Sequence, residues 1–191
     1  MSKLTKLIVC GVGGQGVTYT VRLLMSAAVL AGIKVATDEI HGLSQRGGVV
    51  NAGLTFGDAG HGYVEAGEAD FMIGLEKLET QRSANFLNST SRVVIDNFAI
   101  TPFSVNAGQS HYPDTDVFIE SLKKNIAEVI YINTSTEINR KLKSYYVLGV
   151  ASTLKGFPVA AQYIQQAIEQ IARTESVDES VGIFNQGRQY Q

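Results

Sequence analysis

Apolar residues along this chain fall into two alternating patterns. Some form short β-branched runs, and others recur three or four positions apart over longer segments. The first run, Lys6 to Cys10 (KLIVC), ends in glycine and reads as a buried parallel strand. Val17, Val21, Leu24, Ala28 and Ala31 then keep helical spacing, which predicts a helix over Val17 to Ala31 with Gly32 as its C-cap. Lys34 to Ile40 (KVATDEI) alternates loosely and predicts a second strand. Residues 6–40 thus read as one βαβ unit, with the right-handed crossover expected of such units.

The next stretch departs from a plain dinucleotide fold. His41 to Gly48 (HGLSQRGG) is a polar, glycine-rich loop, and Val49 to Phe56 (VVNAGLTF) reads as a strand where a helix would be usual. Ala69 to Leu75 predicts a strand, Glu76 to Leu87 a helix, and Arg92 to Asp96 (RVVID) a buried parallel-type strand. Phe98 to Asp114 holds two of the three prolines and reads as an extended excursion. Val117 to Ala127 predicts a helix, Glu128 to Ile132 a strand, and Thr136 to Leu142 a short helix. Two more helices follow, Tyr145 to Leu154 and Pro158 to Ile171, with Pro158 in a first turn that tolerates it. The sum is an α/β chain: a Rossmann-like three-layer fold with a mainly parallel sheet and an added strand after the second glycine-rich loop. A single domain over 1–191 is expected.

Composition narrows the function. The charge of −2 and pI of about 5.9 leave no concentrated basic face, so nucleic acid is not an expected partner. One cysteine cannot form a disulfide framework, nor supply the roughly four ligands of an iron–sulfur cluster or zinc ribbon. The apolar run near the N-terminus is too short for a signal peptide. Leu23 to Val35 is too interrupted to span a bilayer, so a cytoplasmic location without membrane contact is expected. Fourteen of the 19 glycines lie in residues 1–74, so the first third needs backbone that turns tightly or approaches other atoms closely.

Gly11, Gly13 and Gly16 satisfy G-x-G-x-x-G directly after a strand and before a helix, with Gly14 and Gln15 inside the motif. Such a loop leaves room for an anion at a helix N-terminus. Glu39, at the end of the second strand, lies about where a ribose-binding acid would sit. Taken mechanically this is NAD binding; the other reading is that the glycines permit close strand–helix or interface packing. His41, Gln45, Arg46, Gly47 and Gly48 belong to the second loop, which should open at the same sheet edge. Arg46, flanked by glycines, can offer a forked donor to a phosphate or carboxylate, or serve as a capping or interface arginine. His41 has no second histidine or carboxylate at metal spacing apart from Glu39, so no metal site is expected, and no residue is singled out as catalytic. Asp96-Asn97 ends a strand and either reaches the same crevice or caps a turn. Cys10 reads as a small buried strand residue, and Glu65, Glu68 and Asp70 as a solvated acidic run.

Taken together, GVGGQGV at 11–17, IHGLSQRGGVV at 40–50 and EAGEADFMIGLEKLETQR at 65–82 resemble the gamma-type subunit of 2-oxoacid:ferredoxin oxidoreductases. The HG-x-SQRGG loop points to the indolepyruvate branch and its small (beta) subunit. Thr101-Pro102, Tyr112-Pro113-Asp114 and Val147 to Ala151 follow in the order of that subunit, so the resemblance covers nearly the whole chain. It implies a part in converting a 2-oxoacid, CoA and oxidised ferredoxin into an acyl-CoA, CO2 and reduced ferredoxin. It also implies a catalytic alpha-type partner carrying thiamine diphosphate, Mg2+ and iron–sulfur clusters, and leaves room for a homodimer. Gly13, Gly14, Gln15, Gln45 and Arg46 would then lie at the partner interface or at the phosphate end of CoA. The alternative from a different class is a stand-alone nucleotide- or NAD-binding protein. Two departures from the family pattern stand out. Tyr19 is larger than usual at the start of the first helix, and 141–145 looks shortened and lacks a Gly-Asn.

Overall fold

The computed structural model describes residues 4–41, 48–58, 60–134 and 138–190. Six strands form one sheet: β1 (Thr5–Val12), β2 (Val35–His41), β3 (Val49–Phe56), β4 (Ala69–Gly74), β5 (Leu87–Asp96) and β6 (Glu128–Ile132). Their order is β2-β3-β1-β4-β5-β6. β1, β4, β5 and β6 pair in parallel, whereas β3 runs antiparallel to both β1 and β2. The expected mainly parallel sheet with its added strand is therefore present. β3 inserts between β1 and β2, so the βαβ unit of residues 6–40 carries an antiparallel strand between its two parallel ones.

Alternation along β1 sorts the core into two layers. Leu7 and Val9 face a large cluster with α1 (Val17–Leu30), α5 (Lys143–Ala151), α6 (Ala161–Ile171) and α7 (Val177–Arg188). Ile8 and Cys10 face a smaller one with Met72, Val93, Ile119 and Leu122, the last two from α4 (Thr115–Asn125). α2 (Lys77–Arg82) packs on that second side, where Thr80 meets Cys10. α1 ends as predicted. Gly32, at φ 69°, sends its N–H to Val29, and Ile33 reaches Ala28, which closes the helix with a Schellman pair.

Several predicted boundaries move. The helix expected over 76–87 stops at Arg82, a 3-10 turn follows at Ala84–Phe86, and β5 begins at Leu87. The polar stretch 88–91 has no strand pattern. It joins β5 because Asn88 and Ser91 bond to the end of β4 through Ala69 O, at 3.3 and 2.6 Å. The excursion 98–114 contains a short helix, α3 (Phe103–Asn106). Of the helix expected over 136–142, the described residues 138–142 form a turn, and the rest lies outside the described residues. The helix expected over 145–154 ends at Ala151, and Pro158 precedes α6 by three residues instead of sitting in its first turn. α7 has no counterpart in the sequence reading. Among the described residues no helix is long and apolar enough to cross a membrane.

Candidate functional site

The glycine loop 11–16 follows β1 at the carboxyl edge of the parallel strands, where such sheets form their crevices. The chain leaves β1 for α1 on one face and leaves β4 for α2 on the other. The crevice of this topology therefore lies between the carboxyl ends of β1 and β4. Gln15 occupies it. Its Oε1 accepts the Val12 N–H at 2.7 Å, and its Nε2 donates to Leu75 O at 3.0 Å. Gly11 makes room for this brace, since a Cβ there would stand 3.0 Å from Gln15 Oε1 and 3.2 Å from Leu75 Cβ. Gln15 thus stitches two strand ends together through its side-chain amide.

Gly16 is the N-cap of α1 at φ 94°, ψ 22°, a left-handed conformation with no side-chain cap. Gly14, also at φ 93°, is exposed with open space around it. Gly13 donates its N–H to Gly48 O at 2.9 Å, so the two glycine-rich loops meet at one edge. Gln45, Arg46 and Gly47, and the side chains of Glu39 and His41, lie outside the described residues.

Phe98, Arg140, Lys143 and Ser144 belong to no motif in the sequence, yet they complete this edge. With Gln15, Leu75, Asp96 and Val147 they line a narrow crevice. Lys143 Nζ lies 4.3 Å and Arg140 Cζ 6.0 Å from the centre of the Phe98 ring, an arrangement that holds two cations together beside the loop. The signal was the spacing of Arg140 and Lys143 before an apolar helix, which is silent until the turn 138–142 folds back. Asp96 both ends its strand and reaches the crevice. Its carboxylate accepts the Thr134 hydroxyl at 2.6 Å and backbone N–H at 3.2 Å. Burial raises the Asp96 carboxyl above the ordinary range, with Thr134 and Lys143 pulling the other way.

Beneath β4, Glu76 caps α2 by accepting the Glu79 N–H at 2.7 Å. Its other oxygen accepts from Ile100 N–H and from Tyr112 hydroxyl, which anchors the 98–114 excursion. The acidic run proves to be structural in part: Asp70 accepts the Lys6 N–H at 2.9 Å, and Glu68 pairs with the Lys6 ammonium. Cys10 is fully buried, and desolvation raises its thiol to about 12, against weaker lowering by Thr80 and Ser83. A thiol-reactive disulfide reagent at pH 8 should therefore leave the folded chain unlabelled and titrate one thiol after denaturation. Labelling of the native protein would contradict this burial. Removing the brace also has a defined cost. Gln15→Ala should leave Val12 N–H and Leu75 O unpaired and cost about 2–3 kcal/mol. Thermal unfolding should report this as a lower midpoint.

These features define an α/β fold with a glycine-lined edge and a crevice closed by its own glutamine. Among the described residues no group of three His, Cys, Asp or Glu side chains could hold a metal ion. The chain belongs to the pyruvate ferredoxin/flavodoxin oxidoreductase family, whose model matches residues 6–190. It is 36% identical over 186 residues to the indolepyruvate oxidoreductase subunit IorB of Archaeoglobus fulgidus, covering 95% of this chain and 92% of that one. The IorB subunit of Methanothermobacter thermautotrophicus is 29% identical, with 95% and 94% covered. Among solved structures, the pyruvate oxidoreductase subunit PORC of Thermotoga maritima superposes with a TM-score of 0.70 at 17% identity, covering 97% and 96% of the two chains. A 2-oxoglutarate:ferredoxin oxidoreductase from Magnetococcus marinus, solved with 2-oxoglutarate, coenzyme A and succinyl-CoA, gives 0.71 at 16% identity. The match covers 98% of this chain and 31% of that one. The family expectation drawn from the three motifs is met, and nothing in these comparisons supports the stand-alone NAD-binding alternative.

Proposed function

We propose that this chain is the cluster-free small subunit of a 2-oxoacid:ferredoxin oxidoreductase of the indolepyruvate type. In that complex it supports oxidative decarboxylation of a 2-oxoacid to an acyl-CoA with reduction of ferredoxin. The observation that carries the reading is likeness to IorB subunits along nearly the full length of both chains. The residues here do not fit the family's redox groups: the one thiol, Cys10, is buried in the sheet, and no metal-ligating cluster accompanies it among the described residues. In this reading thiamine diphosphate, Mg2+ and iron–sulfur clusters belong to an alpha-type catalytic partner, and the isolated chain is inactive. A cytoplasmic location and a single domain over 1–191 belong to the same reading.

Within that complex, loops 11–16 and 41–48 form the surface presented to the partner or to the phosphate end of CoA. Gly13 and Gly14 let backbone approach, Gly16 opens the N-terminus of α1, and Arg46 supplies a forked donor. Gln15 sets the shape of the loop from within. Purification from the native host tests the assembly. Co-elution with a larger, brown, thiamine-binding chain is expected, and elution of this chain alone would refute it. Arg46→Ala in the reconstituted complex should weaken assembly or raise the apparent KM for CoA about tenfold, the loss of one charge-assisted bond. Unchanged subunit association and CoA kinetics would remove Arg46 from the site.

A further inference from the structure

A cleft of about 670 Å3 opens between α1, the 138–142 turn, the start of α5 and the α6–α7 junction. Its volume lies in the range of small-molecule sites, about 300–1,000 Å3. No residue of the glycine loops lines it, and the proposed function does not use it. Three cations stand around it: Arg22 on α1, Lys141 in the turn and Arg173 after α6. All three are exposed, and none forms an ion pair among the described residues. Against Glu175 and Glu179 in the same lining, the three cations leave one net positive charge on this concave surface, which attracts anions, and arginine forks match phosphate oxygens.

The interior is built for more than a bare ion. One wall is fixed by Tyr145, whose hydroxyl donates to the Tyr19 hydroxyl at 2.8 Å, with the rings edge-on at 5.7 Å and 76°. Ser180, fully buried, also lines the cleft, and its hydroxyl has no hydrogen-bond partner among the described residues. A buried hydroxyl without a partner is costly unless something enters to meet it. On the α7 side, Glu175 and Glu179 offer carboxylates that accept from hydroxyl groups. An inorganic anion would leave the tyrosines and carboxylates unused, and an apolar molecule would leave the cations unused. A phosphorylated molecule with a sugar and a planar ring uses all of them.

We propose that this cleft binds a mononucleotide, with phosphate on Arg22, Lys141 and Arg173, sugar hydroxyls on Glu175 and Glu179, and base against the tyrosine wall. The nucleotide is either free or the nucleotide end of CoA; only the second source rests on the proposed function, in the form where the glycine loops face the partner chain and not CoA. The test is equilibrium dialysis with ADP on the full 191-residue chain and on the complex purified with its partner. Saturable binding is expected in at least one of them. Arg22→Ala with Arg173→Ala should weaken it at least about tenfold, whereas the paired lysine substitutions should retain part of it. Both positions are exposed, so the fold should hold. Ser180→Ala provides a second variant, weakening ADP without lowering the unfolding midpoint of the free chain.

Displacement of ADP by CoA identifies the co-substrate's nucleotide end, and failure of CoA to compete identifies a free nucleotide; either supports the site. Absence of ADP binding in both preparations overturns the proposal. So does competition by inorganic phosphate or by adenosine as strong as that of ADP, and so does binding that the arginine substitutions leave unchanged. None of these results bears on co-purification with a catalytic partner, which tests the proposed function separately.

Discussion

Gly187→Ala is expected to lower stability by about 3 kcal/mol or more, at the upper end of what one added methyl costs in a packed core. Helices α5 and α7 touch backbone to backbone at this point. A Cβ on Gly187 would stand 2.2 Å from Tyr146 O, and a Cβ on Gly149 would stand 2.1 Å from Phe184 O. Both obstacles are main-chain carbonyls, so no rotamer change relieves them, and the helices must separate. Phe184, fully buried on the same contact, would lose its packing. A fall in the thermal midpoint of roughly 6–12 °C is expected for a chain of this length. Gly182→Ala on the same helix is the control. That glycine is exposed and a Cβ there meets nothing within 4 Å. It should stabilise the chain by about 0.5–1 kcal/mol through helix propensity. If the two alanine variants unfold alike, the close contact of α5 and α7 is wrong.

Gly74→Ala should cost about 2–3 kcal/mol and, unlike Gly187→Ala, should be partly rescued by a second change. A Cβ on Gly74 would stand 1.9 Å from Thr80 Oγ1. That hydroxyl is held in place, donating to Glu76 O at 2.8 Å, and a β-branched side chain in a helix has few other rotamers. The clash would push α2 off the end of β4. It would also move Glu76, which holds Ile100 and Tyr112 and so the excursion beside the carboxyl edge. Thr80→Ala removes the obstacle at the cost of its own hydrogen bond. In a double-mutant cycle of denaturant unfolding, the pair should therefore be less damaging than the sum of the single changes. Simple additivity would mean that the contact does not exist as described.

The sequence revealed the sheet strands better than the helices around them. β1, β3, β4 and β6 were legible because each is a run of apolar or alternating residues bounded by glycine or charge. The first half of β5 was not, because Asn88, Ser89, Thr90 and Ser91 carry no strand pattern and are recruited by bonds to β4. α7 was missed for a related reason. Its sequence, VDESVGIFNQGR, looks polar and glycine-broken, yet Gly187 is what lets it lie against α5. A residue chosen for close approach reads in one dimension as a helix breaker.

The candidate site divides the same way. Gly11, Gly13, Gly14, Gly16 and Gly48 were identifiable as permissive backbone, and the structure brings the two loops together through Gly13 and Gly48. That Gln15 spends its amide on Val12 and Leu75 could not be read from the motif, since G-x-G-x-x-G says nothing about where an intervening side chain turns. Arg140 and Lys143 gather over Phe98 only once residues some forty positions apart share one sheet edge.

By itself, then, the sequence determined the alternation of strands and helices, the family motifs and the inability of a single cysteine to hold a cluster. These depend on local periodicity and residue counts, which survive without coordinates. Only the tertiary structure decided that β3 inserts between β1 and β2, that a glutamine closes the crevice, and that cations from three separate segments ring the Tyr19–Tyr145 cleft. Those facts are contacts between distant parts of the chain, set by sheet pairing and helix packing, and no local pattern encodes them.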